Sequence, residues 1–92
     1  MKEVFGPHAN KMTISAIKSS IGHTFAAAGV IETIFGIKSM QESVAPKILN
    51  LTDPDVLDLN YATSNVKQDI NLMLKNSFGF GGINVSCVLK KI

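Results

Sequence analysis

The chain has 92 residues, 46% of them apolar, and a formal net charge of +2 from nine basic and seven acidic side chains. That length suits one small domain, but it buries only about 60–65% of the unfolded surface, so a core of its own is marginal. The basic residues are all lysine and are scattered except for Lys90-Lys91, which excludes the arginine forks and clustered charge of a nucleic-acid binder.

Residues 1–12 read as the tail of an earlier element, closed by Gly6-Pro7, with His8 exposed. Met1-Lys2-Glu3 leads to Gly6, Pro7 and His8 rather than to an apolar run, so no secretory leader is expected. Thr13 to Ile17 alternate and are β-branched, which predicts a short strand. Lys18-Ser19-Ser20-Ile21-Gly22-His23 then reads as a polar turn. Thr24 is a suitable cap for a helix running to about Glu42. Val30, Ile34 and Ile37 fall on one stripe of that helix, with Ile31 and Phe35 beside it. Ala26-Ala27-Ala28-Gly29 has little side-chain bulk, which predicts a first turn packed in a core. The apolar window from Phe25 to Met40 is shorter than the ~20 residues of a membrane span. It also carries Glu32 and Lys38, which are costly in lipid. A buried helix and no membrane span are expected.

From Val44 to Asp58 the chain is punctuated by Pro46, Asn50, Asp53 and Pro54, so a surface connection is expected. A weak strand is predicted around Asn60 to Ser64 and a firmer one from Leu72 to Ser77. Phe78-Gly79-Phe80-Gly81-Gly82 is a glycine-rich turn, and Ile83 to Leu89 forms the last strand. Ile83, Val85, Cys87 and Leu89 share one face of that strand; Asn84 and Ser86 share the other. Cys87 is the lone cysteine, so no internal disulfide or cysteine metal cluster can form. Its apolar strand face predicts a small buried hydrophobe with a raised thiol pKa rather than a partner for His23. One unpaired cysteine fits a reducing compartment.

Two clusters stand out, at positions where α/β folds present loops at strand ends. In the first, a histidine before a helix N-terminus meets the positive end of the dipole, which disfavours imidazolium. A neutral imidazole at His23 can donate an N–H to a carbonyl oxygen gaining negative charge. The competing explanation is a histidine that satisfies a buried backbone group. Lys18 enters the same loop and needs a partner. Glu32, on an otherwise apolar helix, is the natural one, either for function or as a structural ion pair. In the second cluster the glycines either permit positive φ alone or act as hinges for a phenylalanine gate. The Walker lysine of a phosphate cradle is absent.

Together the clusters resemble the C-terminal region of the β-ketoacyl-acyl-carrier-protein synthases, the condensing enzymes of type II fatty-acid synthesis. The family's Thr-Lys-Ser-x-x-Gly-His loop and Gly-Ala-Ala-Gly helix start are matched by Ile17 to His23 and by Ala26 to Gly29. Its Asn-Ser-Phe-Gly-Phe-Gly-Gly-x-Asn loop is matched from Asn76 to Asn84. The connection Val44-Ala45-Pro46 through Asn50-Leu51 to Asn60-Tyr61 is similar too. Ile17 replaces a threonine, and Ala26 a frequent glycine.

The resemblance implies an α/β chain, the C-terminal portion of a thiolase-like layered fold: a strand, a long buried helix, then antiparallel strands. Residues 1–92 would be part of one such domain. The implied reaction is a decarboxylative Claisen condensation of a malonyl unit on acyl carrier protein with an acyl thioester. His23 would bind the malonyl thioester oxygen, Lys18 would be the active-site lysine and Glu32 its carboxylate partner. Phe80 would be the gate to the acyl pocket, shaped by Phe78, Gly79, Gly81 and Gly82. No cofactor and no metal are implied. Acyl carrier protein is the implied partner, family members are homodimers, and the cytoplasm is the implied location. The nucleophilic cysteine and a first histidine lie upstream in the family, so the isolated chain is expected to be inactive. A non-catalytic synthase-like module and a degenerate gene product are the alternatives.

Overall fold

In the computed structural model, which describes residues 1–92, the chain divides into two units, each threaded by two stretches. The first unit joins Met1–Gly22 to Ala45–Val66, and the second joins His23–Val44 to Lys67–Ile92.

The first unit opens with a single turn of helix, α1 (Lys2–Phe5), which runs into a 3-10 helix at Gly6–Lys11. Pro7 sits in the first turn of the latter, where its missing N–H has no partner to lose. Strand β1 (Thr13–Ile14) is followed by the one-turn helix α2 (Lys18–Ile21). Gly22, at φ 80°, ends α2 and returns its N–H to the Lys18 carbonyl at 2.9 Å, a conformation that suits glycine. β1 pairs in parallel with β3 (Asn60–Tyr61), Thr13 opposite Asn60 and Ile14 opposite Tyr61. The Ala62 N–H extends the ladder to the Ile14 carbonyl, and the Ile48 N–H reaches the Ala62 carbonyl, both at 2.8 Å. The core of this unit is small: Ala9, Ala45 and Ala62 are its buried apolar residues.

The second unit holds the long helix α3 (Ala28–Glu42), preceded by a 3-10 turn at Phe25–Ala27. It also holds the hairpin of β5 (Leu72–Phe78) and β6 (Asn84–Lys90). The hairpin register runs from Leu72 opposite Lys90 to Phe78 opposite Asn84. Directly opposed residues share a face. Met73, Lys75 and Ser77 therefore join Leu89, Cys87 and Val85 on the face that packs toward α3. Gly36 allows that packing, because a Cβ there would overlap the thioether end of Met73. α3 stops at Ser43, which takes a left-handed φ of 53° and donates its N–H to the Ser39 carbonyl. Two further two-residue strands, β2 (Val44–Ala45) and β4 (Val66–Lys67), lie where the chain passes between units.

Several expectations need correction. The strand expected over Thr13–Ile17 stops at Ile14, and Lys18–Ile21 is a helical turn rather than an open polar turn. The strand around Asn60 to Ser64 is two residues long, and Val44-Ala45 forms a strand rather than opening an irregular connection. Thr24 does not cap α3: the helix begins four residues later, and no side chain caps it. Ala28 is buried, but Ala26 and Ala27 of the expected packed turn are exposed.

The helix is long, yet its apolar stripe is not buried. Val30 is 64% exposed, Ile34 55% and Ile37 40%, while Ala28 and Met40 are its buried residues. The stripe found by periodicity is therefore largely exposed, with Val30 and Ile34 lining an open cavity toward the hairpin. Cys87 is likewise exposed rather than buried. The antiparallel hairpin is as expected, with its second strand displaced by one residue. No helix is long and apolar enough to cross a membrane.

Candidate active site

His23 stands between α2 and α3, after Gly22 and before the 3-10 turn at Phe25–Ala27. It is exposed, and its Nδ1 accepts the backbone N–H of Phe25 at 3.0 Å. The Phe25 ring stacks on the imidazole, with centroids 5.2 Å apart and planes inclined by 24°. An Nδ1 that accepts a hydrogen bond carries no proton, so in a neutral ring the proton sits on Nε2. His23 therefore offers one donor, Nε2–H, from an exposed ring. Neutrality was expected from the helix dipole, but α3 starts at Ala28, too far for a field that fades within the first turn. The local Phe25 bond instead sets which nitrogen of a neutral ring carries the proton. The alternative, a histidine that satisfies a buried backbone group, is met in part: His23 does satisfy the Phe25 N–H, but at an exposed position.

This geometry requires an unusual backbone. Phe25 adopts φ 51°, a left-handed conformation that costs a bulky residue roughly 1–2 kcal/mol. That conformation accompanies the return of its N–H onto the ring two residues earlier. No sequence signal marks it, since glycine or asparagine is the usual sign of positive φ.

Lys18 lies exposed at the start of α2 in the first unit, and Glu32 lies on α3 in the second. Within its own unit Glu32 pairs with Lys75, whose Nζ is 3.2 Å from Oε2, and the two side chains are 13% and 14% exposed. The Lys75 ammonium also bonds the Ser77 hydroxyl. Sequence reasoning passed over Lys75; the signal available was a lysine on a strand whose neighbours alternate with β6. Ser19 has a structural task that was also missed. Its hydroxyl accepts the Leu49 N–H at 3.0 Å, while the Ser15 hydroxyl donates to the Pro46 carbonyl at 2.6 Å. Both tie the 46–49 segment to the segment around α2.

The glycine-rich connection closes the β5–β6 hairpin. The Gly79 N–H bonds the Ile83 carbonyl at 2.8 Å, and Gly81 and Gly82 take φ of 80° and 79°. Phe78 and Phe80 are both exposed, Phe80 completely. Neither ring packs into a core within this chain. Near the hairpin, a cavity of about 500 Å³ opens between α3 and the sheet, with Val30 and Ile34 on one wall and Lys75, Val85 and Cys87 on the other. Neither His23 nor Phe80 lines it. There is also no cluster of three or more histidine, cysteine or acidic groups able to hold a metal ion.

Comparison with known proteins gives this geometry its context. The family model described as "Beta-ketoacyl synthase, C-terminal domain" matches residues 1–52, more than half of the chain. The chain belongs to the β-ketoacyl synthase family. Its similarity to individual members extends beyond residue 52. It is 37% identical to 3-oxoacyl-[acyl-carrier-protein] synthase 2 of Coxiella burnetii, an alignment covering 100% of this chain and 23% of that protein. It is 39% identical to the enzyme of the same name from Rhizobium meliloti, covering 99% of this chain and 22% of the relative. The mitochondrial 3-oxoacyl-[acyl-carrier-protein] synthase of Arabidopsis thaliana is 38% identical over 100% of this chain and 21% of its own length. The family match includes the His23 loop and Glu32, and the relatives extend the likeness through the 76–84 turn. The chain spans about a quarter of the length of the curated relatives it matches.

Proposed function

We propose that these 92 residues form the C-terminal part of a 3-oxoacyl-acyl-carrier-protein synthase, one partial domain at the end of a thiolase-like layered fold. The reaction begins with an acyl group held as a thioester on a cysteine that lies outside this chain, and with a malonyl unit carried on acyl carrier protein. Carbon dioxide leaves the malonyl group, and the electrons of the broken bond form an enolate at the thioester. The enolate carbon attacks the acyl thioester, the cysteine thiolate leaves, and the 3-oxoacyl product stays on the carrier protein.

His23 donates Nε2–H to the thioester oxygen as negative charge gathers there. The observation that supports this role is the occupied Nδ1, which in a neutral ring leaves the one proton on the exposed Nε2. Lys18 and Glu32 take the lysine and carboxylate roles of the family. Phe80 takes the gate role, with Phe78, Gly79, Gly81 and Gly82 shaping the turn; the two positive φ angles supply the backbone freedom a gate needs. No cofactor enters this chemistry. The working form would be a cytoplasmic homodimer, as in the family.

The test uses the full-length synthase that contains these residues. Losing one oxyanion donor costs about 100- to 1000-fold in rate. His23→Ala is therefore expected to suppress malonyl decarboxylation by that factor while cysteine acylation persists. Lost acylation with normal decarboxylation would reverse the assignment. The isolated chain is expected to yield no 3-oxoacyl product from malonyl and acyl carrier protein.

A further inference from the structure

The Glu32–Lys75 ion pair joins α3 to β5, and its lysine stands one residue before the motif that begins at Asn76. It differs in kind from the other ion pairs. Lys38–Glu42 and Lys91–Asp69 leave 45–68% of each side chain exposed, whereas Lys75 and Glu32 keep 13% and 14%. Shielding from water preserves the attraction against screening by salt. The ammonium runs along α3 beside Gly29, 3.9 Å from where a Cβ would stand. Ser77 takes a second of its three donors.

The position of the pair gives it a consequence. Glu32 is on α3, whose N-terminal approach carries the His23–Phe25 bond. Lys75 is on β5, which runs straight into the Phe78–Gly82 turn. We propose that Lys75 is a positioning residue: it clamps α3 to β5, so that the His23 loop and the glycine-flanked turn move as one body. Sites hold their geometry when the supporting groups are themselves locked. The functional side of this inference rests on the synthase reading; the coupling between the two loops does not.

The test is NMR of the isotope-labelled 92-residue chain. Lys75→Met removes the charge and keeps the length. It is expected to shift the His23 imidazole signals and the amides of Gly79, Gly81 and Gly82 together. Lys75→Arg, and the exchanged pair Lys75→Glu with Glu32→Lys, should return both sets toward their original positions. Changes confined to the neighbours of residue 75, or an exchanged pair no closer to the original than Lys75→Met, would overturn the proposal. Should Lys75→Met lose its dispersed spectrum, the exchanged pair decides alone, by recovery or loss of the His23 and turn signals. In the full-length synthase, Lys75→Met should lower kcat for malonyl decarboxylation about 10-fold with KM unchanged, within the 100-fold that a misplacement of about 1 Å costs. A silent His23→Ala in that assay would defeat the synthase reading and leave the NMR result standing.

Discussion

Phe25 turns its backbone N–H onto Nδ1 of His23, 3.0 Å away, and lays its ring over the imidazole. One residue thus selects the tautomer and covers one face of the ring, at the expense of a left-handed φ of 51°. The strain and the stack nearly cancel. Relief of the backbone is worth about 1 kcal/mol, and an aromatic pair about 0.5–1.5 kcal/mol, the lower end for a ring this exposed.

Phe25→Gly should therefore be close to neutral in stability, because glycine accepts positive φ and keeps the N–H donor. Phe25→Val should be less stable than Phe25→Gly by about 1–2 kcal/mol, since a β-branched residue tolerates that φ poorly. Urea unfolding of the two variants measures the difference, and equal midpoints would contradict it.

The shielded Lys75–Glu32 pair should dominate the electrostatics of the second unit. Removing one partner of such a shielded pair is strongly destabilising, and Glu32→Gln or Lys75→Met should each cost about 3 kcal/mol. Lys38→Ala and Lys91→Ala should each cost under about 1 kcal/mol, as exposed pairs do. A double-mutant cycle on Lys75 and Glu32 should return a coupling energy well above the one on Lys38 and Glu42.

Asp58 carries a clear pH signature. A hydrogen bond from the exposed Lys2 ammonium holds its carboxyl below the ordinary carboxylate range. A carboxyl depressed in the folded state adds stability above its unfolded value of ~4. That stability is lost as pH falls through the lower folded value. Asp58→Asn should therefore melt slightly below the parent chain at pH 7, and the gap should close below about pH 4. Lys2→Met should remove the same gap. A gap that widens on acidification would be inconsistent with this origin.

Gly29 and Gly36 occupy the same helix and should respond in opposite ways. At Gly29 an added methyl meets Lys75 at an ordinary contact distance of 3.9 Å. Gly29→Ala should therefore gain up to about 1 kcal/mol of helix propensity. At Gly36 the methyl would overlap Met73. Gly36→Val, bulkier and β-branched, should lower stability by about 1–3 kcal/mol through overpacking. Thermal melts of both variants give the comparison directly.

The sequence by itself determined the family, the long helix α3 and the β5–β6 hairpin with its glycine turn. Local rules carry these: a 3.6-residue stripe on α3, alternation along β5 and β6, and glycines at the turn that needs positive φ. Two motifs in fixed order carried the resemblance from which roles for His23, Glu32 and Phe80 are proposed. Tertiary structure alone decided three other things, because each depends on residues distant in sequence or on backbone geometry that no residue type announces. It left the apolar stripe of α3 largely exposed, with Val30 and Ile34 on one wall of the open cavity beside the hairpin. It gave Glu32 the partner Lys75, 43 residues away in the chain. And it bent Phe25 into a left-handed turn, so that the proton of a neutral His23 resides on Nε2.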